Sequence, residues 1–240
     1  MSSLEIDHTI RDLVIANRIL ARENVIDDFG HVSIRSPVNP ERFFLSRSRS
    51  PEVVDAPDIM EFTLDGEAVD AKGRHPYAER AIHAAFYQAR PDVNCVIHHH
   101  ARSILPFTVA KIALKPLFHM AAVIGHEVPV WDSQGEFGDT NMLIDTLPKA
   151  HSLARALGQN PTVLLARHGA CCVGSNVREA VFVSIYMKEN AELILQSRAI
   201  GELSYLTAGE IDQASTLLRS DLSQTRSWDY RVARAGFRGL

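Results

Sequence analysis

The sequence predicts an α/β fold, a layered αβα sandwich on a mixed and largely antiparallel central sheet. Three observations lead there. Short strand-like runs face each other across tight turns, which signals hairpins and so antiparallel pairing. Stretches of helical period are interspersed with those strands, so helices must cover a sheet. The glycine-bearing stretches near Gly135 and Gly138, and near Gly169 and Gly174, do not spell GxGxxG or a P-loop, which argues against a Rossmann fold.

The elements follow in chain order. Residues 4–23 carry apolar side chains at Ile10, Leu13, Val14, Leu20 and Ala21, the spacing of an amphipathic helix. Residues 31–35 alternate as a strand does and pair with 42–45, with Pro37, Asn39 and Pro40 between them. Residues 61–64 and 67–69 form a second hairpin around Asp65-Gly66. Pro76 opens a helix to about Gln88, because a proline in the first helical position lacks only an N–H that has no partner there. Residues 94–99 are a short apolar strand, and segments near 101–110 and 140–157 read as helices. Strands at 162–166 and 170–173 flank Arg167-His168-Gly169. A long helix covers 177–200 and a shorter one 208–218.

A chain of 240 residues with 46% hydrophobic content can bury the core of one large domain. No Pro/Gly/Ser-rich linker or long charge run divides it, so residues 1–240 are expected to form one domain. A net charge of −4 and a pI near 6.2 argue against a nucleic-acid partner. Residues 1–14 contain Glu5, Asp7 and Asp12 and lack the apolar stretch of a signal peptide, and no apolar run is long enough to span a bilayer. No membrane partner is expected, and a cytoplasmic location is. Cys95, Cys171 and Cys172 are too few for a disulfide framework and are expected to be buried packing.

The chemistry is signalled by histidine. There are eleven, and His98-His99-His100 are consecutive. On a strand, alternate residues share a face, so His98 and His100 point together and His99 points away. Two imidazoles at that spacing can converge on one metal ion, with a third ligand supplied from elsewhere and a position left open for substrate. His168, in a turn between two apolar strands, is the best third candidate. Glu79, near the start of the Pro76 helix, is a candidate ligand or proton shuttle. Taken singly, each feature is also ordinary: a His-x-His pair can be polar surface, and a first-turn acid is usually solvated.

Together these residues resemble the class II aldolase/adducin family over residues 11–210. Phe29-Gly30-His31-Val32-Ser33-Ile34-Arg35 is similar to its early Gly-Asn-x-Ser-x-Arg strand, and Asp65-Gly66 to its hairpin turn. Glu79 falls where the family has its catalytic acid. Arg90-Pro91-Asp92-Val93 followed by His98-His99-His100 resembles its RPDV…HxH signature, and Arg167-His168-Gly169 its third-ligand segment. The resemblance implies a class II aldolase-like fold and one divalent metal ion per subunit, Mn2+ or Zn2+, on His98, His100 and His168. It further implies Glu79 as ligand or acid/base, and a homotetramer with active sites between subunits.

The departures narrow the substrate. Sugar-phosphate members cradle a phosphate with small groups. Here His31 replaces the Asn, Tyr77-Ala78 replaces a Ser-Ser pair, and Ser46-Arg47-Ser48-Arg49-Ser50 supplies guanidinium groups that suit a carboxylate. The pattern is most similar to the decarboxylase branch, which acts on hydroxylated aromatic or pyridine dicarboxylates. That likeness implies a metal-dependent carbon–carbon lyase acting on a small aromatic carboxylate. Glu79 would protonate carbon and His31 would orient a hydroxyl or carry a proton. Ser46, Arg47, Arg49 and Tyr77 would bind substrate. Tyr230, within a 222–240 tail or flap, would close over a neighbouring site. The alternatives are an aldolase acting on a non-phosphorylated hydroxy-keto acid, a non-heme Fe2+ oxygenase on the same fold, and an adducin-like structural domain.

Overall fold

Strand pairing organises the chain. The computed structural model describes residues 2–237. Strands β1 (His31–Arg35), β2 (Arg42–Ser46), β3 (Ile59–Thr63), β4 (Cys95–His99), β5 (Val130–Trp131), β6 (Thr162–Leu165) and β7 (Gly169–Gly174) form one seven-stranded sheet in the order β3-β2-β1-β4-β7-β6-β5. Every pairing is antiparallel except that of β5 with β6. The helices are α1 (Ser2–Arg22), α2 (Arg80–Ala89), α3 (Leu105–Val109), α4 (Gln134–Phe137), α5 (Leu147–Leu157), α6 (Val177–Ser197), α7 (Ala208–Leu218) and α8 (Asp221–Arg234).

Alternation along each strand sorts side chains onto two faces. On one, Val96, Val163, Leu165, Cys171 and Val173 pack with Ile82 and Phe86 of α2 and Leu153 and Leu157 of α5. On the other, Val32, Cys95, Ile97, Leu164 and Cys172 pack with Leu13 and Leu20 of α1 and Val183 and Met187 of α6. The sheet is therefore the middle layer of an αβα sandwich, as the interspersed periods predict. All three cysteines are free and buried. Among the described residues no helix is long and apolar enough to cross a membrane.

Three local expectations are corrected. Pro76 does not open a helix: it bridges Arg47, and the amide of Ser48 donates to the His75 carbonyl at 2.7 Å, so the segment is extended. The fixed φ of proline suits that backbone as well as a helix. Helix α2 starts four residues later, with Glu79 at its N-cap. The Asp65-Gly66 hairpin forms, with Gly66 at φ +79° and the amides of Thr63 and Val69 donating to the Glu67 and Glu61 carbonyls at 2.9 Å, but its return arm is short, with one bridge between Phe62 and Ala68. Arg74 takes the Ile59 and Pro57 carbonyls with its side chain and leads the chain away. The expected 140–157 helix covers only Leu147–Leu157. Before it, Thr140 and Asn141 accept bonds from the amides of Met142 and Leu143, an alternative to helical pairing.

The expected tail is largely helix. Ser220 caps α8, Trp228 is buried, and Arg231 Nη1 pairs with Glu23 Oε2 at 3.1 Å. Residues 238–240 of that tail lie outside the described residues. Sequence periodicity also gave no sign of α4, β5 or a 3-10 turn at His119–Ile124, because elements this short carry no measurable period.

Candidate metal centre

Four chain segments end at one edge of the sheet. β1 starts there, β4 ends there, β7 starts there, and α2 points its N-terminus there. The antiparallel register sets His31 opposite His98 and His98 opposite Cys171, so residues distant in sequence meet. His98 lies on the α2/α5 face. His99 turns to the other face, with its Nε2 3.7 Å from Cys172 Sγ.

His98, His100 and His168 each offer a ring nitrogen, all within 4.8 Å of one another, and His31, Glu79 and His98 form an overlapping group. The outer contacts fix how the rings are used. His98 Nδ1 faces the Ala170 carbonyl at 3.1 Å, and His100 Nδ1 faces both oxygens of Asp27 at 3.2 Å. Both acceptors demand the proton on Nδ1, which leaves the lone pair on Nε2. The two Nε2 atoms are 3.0 Å apart, so two lone pairs confront each other. A cation is the partner that relieves this, and a histidine with its other nitrogen bound to a carboxylate or carbonyl is the usual form of a metal ligand. The donor set therefore fits a divalent metal of the zinc or manganese kind.

Electrostatics agree. Burial, then the neighbouring imidazoles, push His98 and His31 well below the ordinary imidazole value. Burial takes His168 down to about 4, an effect the Met142 backbone offsets only in part. Neutral imidazole is the form that ligates. Glu79 is buried, its Oε1 accepts from the Ile144 amide at 2.9 Å, and its Oε2 stands 3.7 Å from His98 Nε2 and 3.8 Å from His168 Nε2. Burial raises its carboxyl above the usual range.

Gly169 shapes the turn that delivers His168. A Cβ at this position would lie 2.4 Å from the His99 carbonyl oxygen and 2.8 Å from His100 Cδ2. The turn also holds Arg167 at φ +60°, with its guanidinium on Asp132 at 2.6 and 3.1 Å.

The remaining candidates divide. His31 packs against Tyr77 and His98 in tilted contacts, with ring centroids at 4.7 and 5.1 Å, and Ser46 is buried beside Tyr77. The hydroxyl of Tyr77 donates to the Arg49 carbonyl. Arg47 and Arg49 sit next along that segment, and both pair with the buried Asp58, at 2.7 and 3.1 Å. Each engages Asp58 through one nitrogen, Nε or Nη1. Tyr230 is not brought to this centre. It is 57% exposed on α8, where its ring meets the guanidinium of Arg234.

Sequence reasoning missed Asp27, His83 and Tyr87. Asp27 looks like any turn acid before a strand. A signal for the other two exists: Glu79, His83 and Tyr87 recur every four residues, which aligns them along one side of α2.

Residues 11–195 match the family described as Class II Aldolase and Adducin N-terminal domain. The decarboxylase tropJ of Talaromyces stipitatus is 32% identical over 198 residues, covering 77% of this chain and 74% of its own. The 3,4-dihydroxyphthalate decarboxylase of a Terrabacter species is 27% identical over 235 residues, 92% of this chain and 94% of its own. The solved L-fuculose 1-phosphate aldolase of Glaciozyma antarctica has the same fold, with a TM-score of 0.82 at 20% identity, over 98% of this chain and 93% of its own. On the match across most of its length and the identity to tropJ, this chain belongs to the class II aldolase/adducin family.

Proposed function

We propose that this protein is a metal-dependent carboxy-lyase acting on a hydroxylated aromatic or heteroaromatic dicarboxylate. The observation that carries the reading is the convergence of His98, His100 and His168 with Glu79, in a chain whose relatives include two decarboxylases. When bound by the three histidines, a divalent cation supplies Lewis acidity to a substrate oxygen ortho to the departing carboxylate.

The chain's own residues do the rest. Glu79 fixes its Oε1 on the Ile144 amide and keeps Oε2 toward the centre. In its acid form it is positioned to deliver a proton to the ring carbon. As that C–H bond forms, the bond to the carboxylate breaks, CO2 leaves, and Glu79 regains its proton from solvent. Arg47 and Arg49 retain donors beyond those on Asp58 and hold the second carboxylate through a charged fork. His31 and Tyr77 flank the reacting ring, with Ser46 behind them. We further propose a cytoplasmic homotetramer of one-domain subunits, in which the exposed Tyr230 serves a neighbouring subunit's site.

The test is CO2 release from ortho-hydroxy aromatic dicarboxylates such as a dihydroxyphthalate. His98→Ala is expected to lose bound metal and activity together, whereas Arg47→Ala raises KM at least about tenfold with a smaller change in kcat. Cleavage of a hydroxy-keto acid without CO2 release would establish the aldolase alternative, and wild-type KM in both arginine variants would remove the carboxylate fork.

A further inference from the structure

A continuous line of buried polar side chains runs from the metal centre into the layer between the sheet and α2. His31 Nδ1 lies 2.6 Å from His83 Nε2, His83 Nδ1 lies 2.6 Å from Ser33 Oγ, and Ser33 Oγ lies 2.7 Å from the Tyr87 hydroxyl. His31, Ser33, His83 and Tyr87 are each at most 1% exposed. Groups this deeply buried must satisfy one another. α2 supplies His83 and Tyr87, one turn apart, and β1 supplies His31 and Ser33, two residues apart on one face.

Such a chain can point either way, and its far end decides. A nitrogen–nitrogen contact of 2.6 Å carries one proton, so one imidazole donates and the other accepts. If His31 donated from Nδ1, then His83 would donate to Ser33 and Ser33 to Tyr87. One hydroxyl proton, that of Tyr87 or of Ser33, would then be stranded, because among the described residues neither hydroxyl has an acceptor outside this chain. A buried donor without an acceptor bears its full desolvation penalty. Read the other way, every link is satisfied: Tyr87 donates to Ser33, Ser33 donates to His83 Nδ1, and His83 Nε2 donates to His31 Nδ1. Burial, which takes His83 down to about 3, removes the doubly protonated form that would blur this direction.

We propose that Ser33, held by Tyr87 and acting through His83, locks neutral His31 into the tautomer that carries its proton on Nε2, making His31 a fixed hydrogen-bond donor at the centre and not a proton acceptor. Tyr87, Ser33 and His83 are positioning residues, since none of them belongs to either donor group at the centre. His31 does: it offers a ring nitrogen within 4.8 Å of His98 and of the Glu79 carboxylate. The proposal rests on the lyase reading only in taking the partner of His31 to be a substrate oxygen. A fixed donor there selects for an oxygen that accepts a hydrogen bond, a carboxylate or an ionised hydroxyl, over one that must donate.

The tautomer can be read directly from long-range 1H–15N spectra of side-chain-labelled histidine in the protein exchanged into diamagnetic Zn2+, with His31 and His83 assigned by single substitution. Both rings are expected as neutral Nε2–H forms in the wild type. Ser33→Ala removes the donor to His83 Nδ1, so His31 should become a mixture of tautomers, and kcat should drop about tenfold with bound metal unchanged. Ser33→Thr, which keeps the hydroxyl, should restore the wild-type pattern, and Tyr87→Phe, which leaves the Ser33 proton no acceptor but His83 Nδ1, should retain it. An Nδ1–H signal for wild-type His31, or an unaltered tautomer in Ser33→Ala, would overturn the proposal. The expected tautomer in a protein that releases no CO2 would leave this inference standing and remove the lyase reading.

Discussion

Asp27 binds three groups with one carboxylate. Its Oδ1 accepts from the amides of Phe29 and Gly30 at 3.0 and 2.9 Å, and both its oxygens face His100 Nδ1. Burial alone raises this carboxyl, but the hydrogen bond and charge of His100, with the two amides, hold it below the usual carboxylate range. Asp27 therefore ties the loop before β1 to a metal-ligand candidate. Asp27→Ala should weaken Zn2+ binding by roughly 10- to 100-fold, as loss of an outer partner does, and titration calorimetry reads this directly. Wild-type affinity in that variant would show that His100 needs no such partner. At this scale the sequence is legible where geometry is local. His98 and His100 share a face because strands alternate, and that much is written in three consecutive letters. Asp27 is not legible, because its partner is 73 residues away and nothing near it marks it out.

The turn between β6 and β7 shows why an element can depend on a missing side chain. Gly169 is required by close approach: the next strand's backbone, at His99, occupies the space a Cβ needs. Gly169→Ala should cost about 1–3 kcal/mol by overpacking and should displace His168, so bound metal drops along with the denaturation midpoint. Retention of full metal content by a folded Gly169→Ala protein would show that the turn tolerates the shift. Element reading from sequence worked best for long periodic segments, such as α6 and α7, and for β1 with β2. It misjudged Pro76, since a proline fits extended and helical backbone alike and the bridge to Arg47 decided between them. That displacement puts Glu79 at the cap of α2, where it has no side-chain capping bond and is free to face the histidines.

Across the whole molecule, charge reinforces the backbone bridge that holds the segment after β2. Asp58 accepts from Arg47 and from the Asp55 amide and pairs with Arg49, and although burial opposes it, these groups lower its carboxyl below the ordinary value. A lowered folded-state value means that the stabilisation is present above the unfolded carboxylate range, near pH 4, and is lost as pH falls through the folded value. Asp58→Asn should therefore lower stability at neutral pH, leave it nearly unchanged at the acid end, and so flatten the acid limb of the stability-versus-pH curve, as read by denaturation midpoints across pH. An unchanged acid limb would exclude this contribution. The amino-acid order by itself determined the alternation of strands and helices, the antiparallel hairpin of β1 and β2, and the pairing of His98 with His100, because each depends on periods of two to four residues. Tertiary structure decided which acid meets which imidazole, how His168 reaches the pair, and how His83, Ser33 and Tyr87 line up behind His31. Those contacts join segments tens of residues apart, and only sheet register and layer packing bring them within bonding distance.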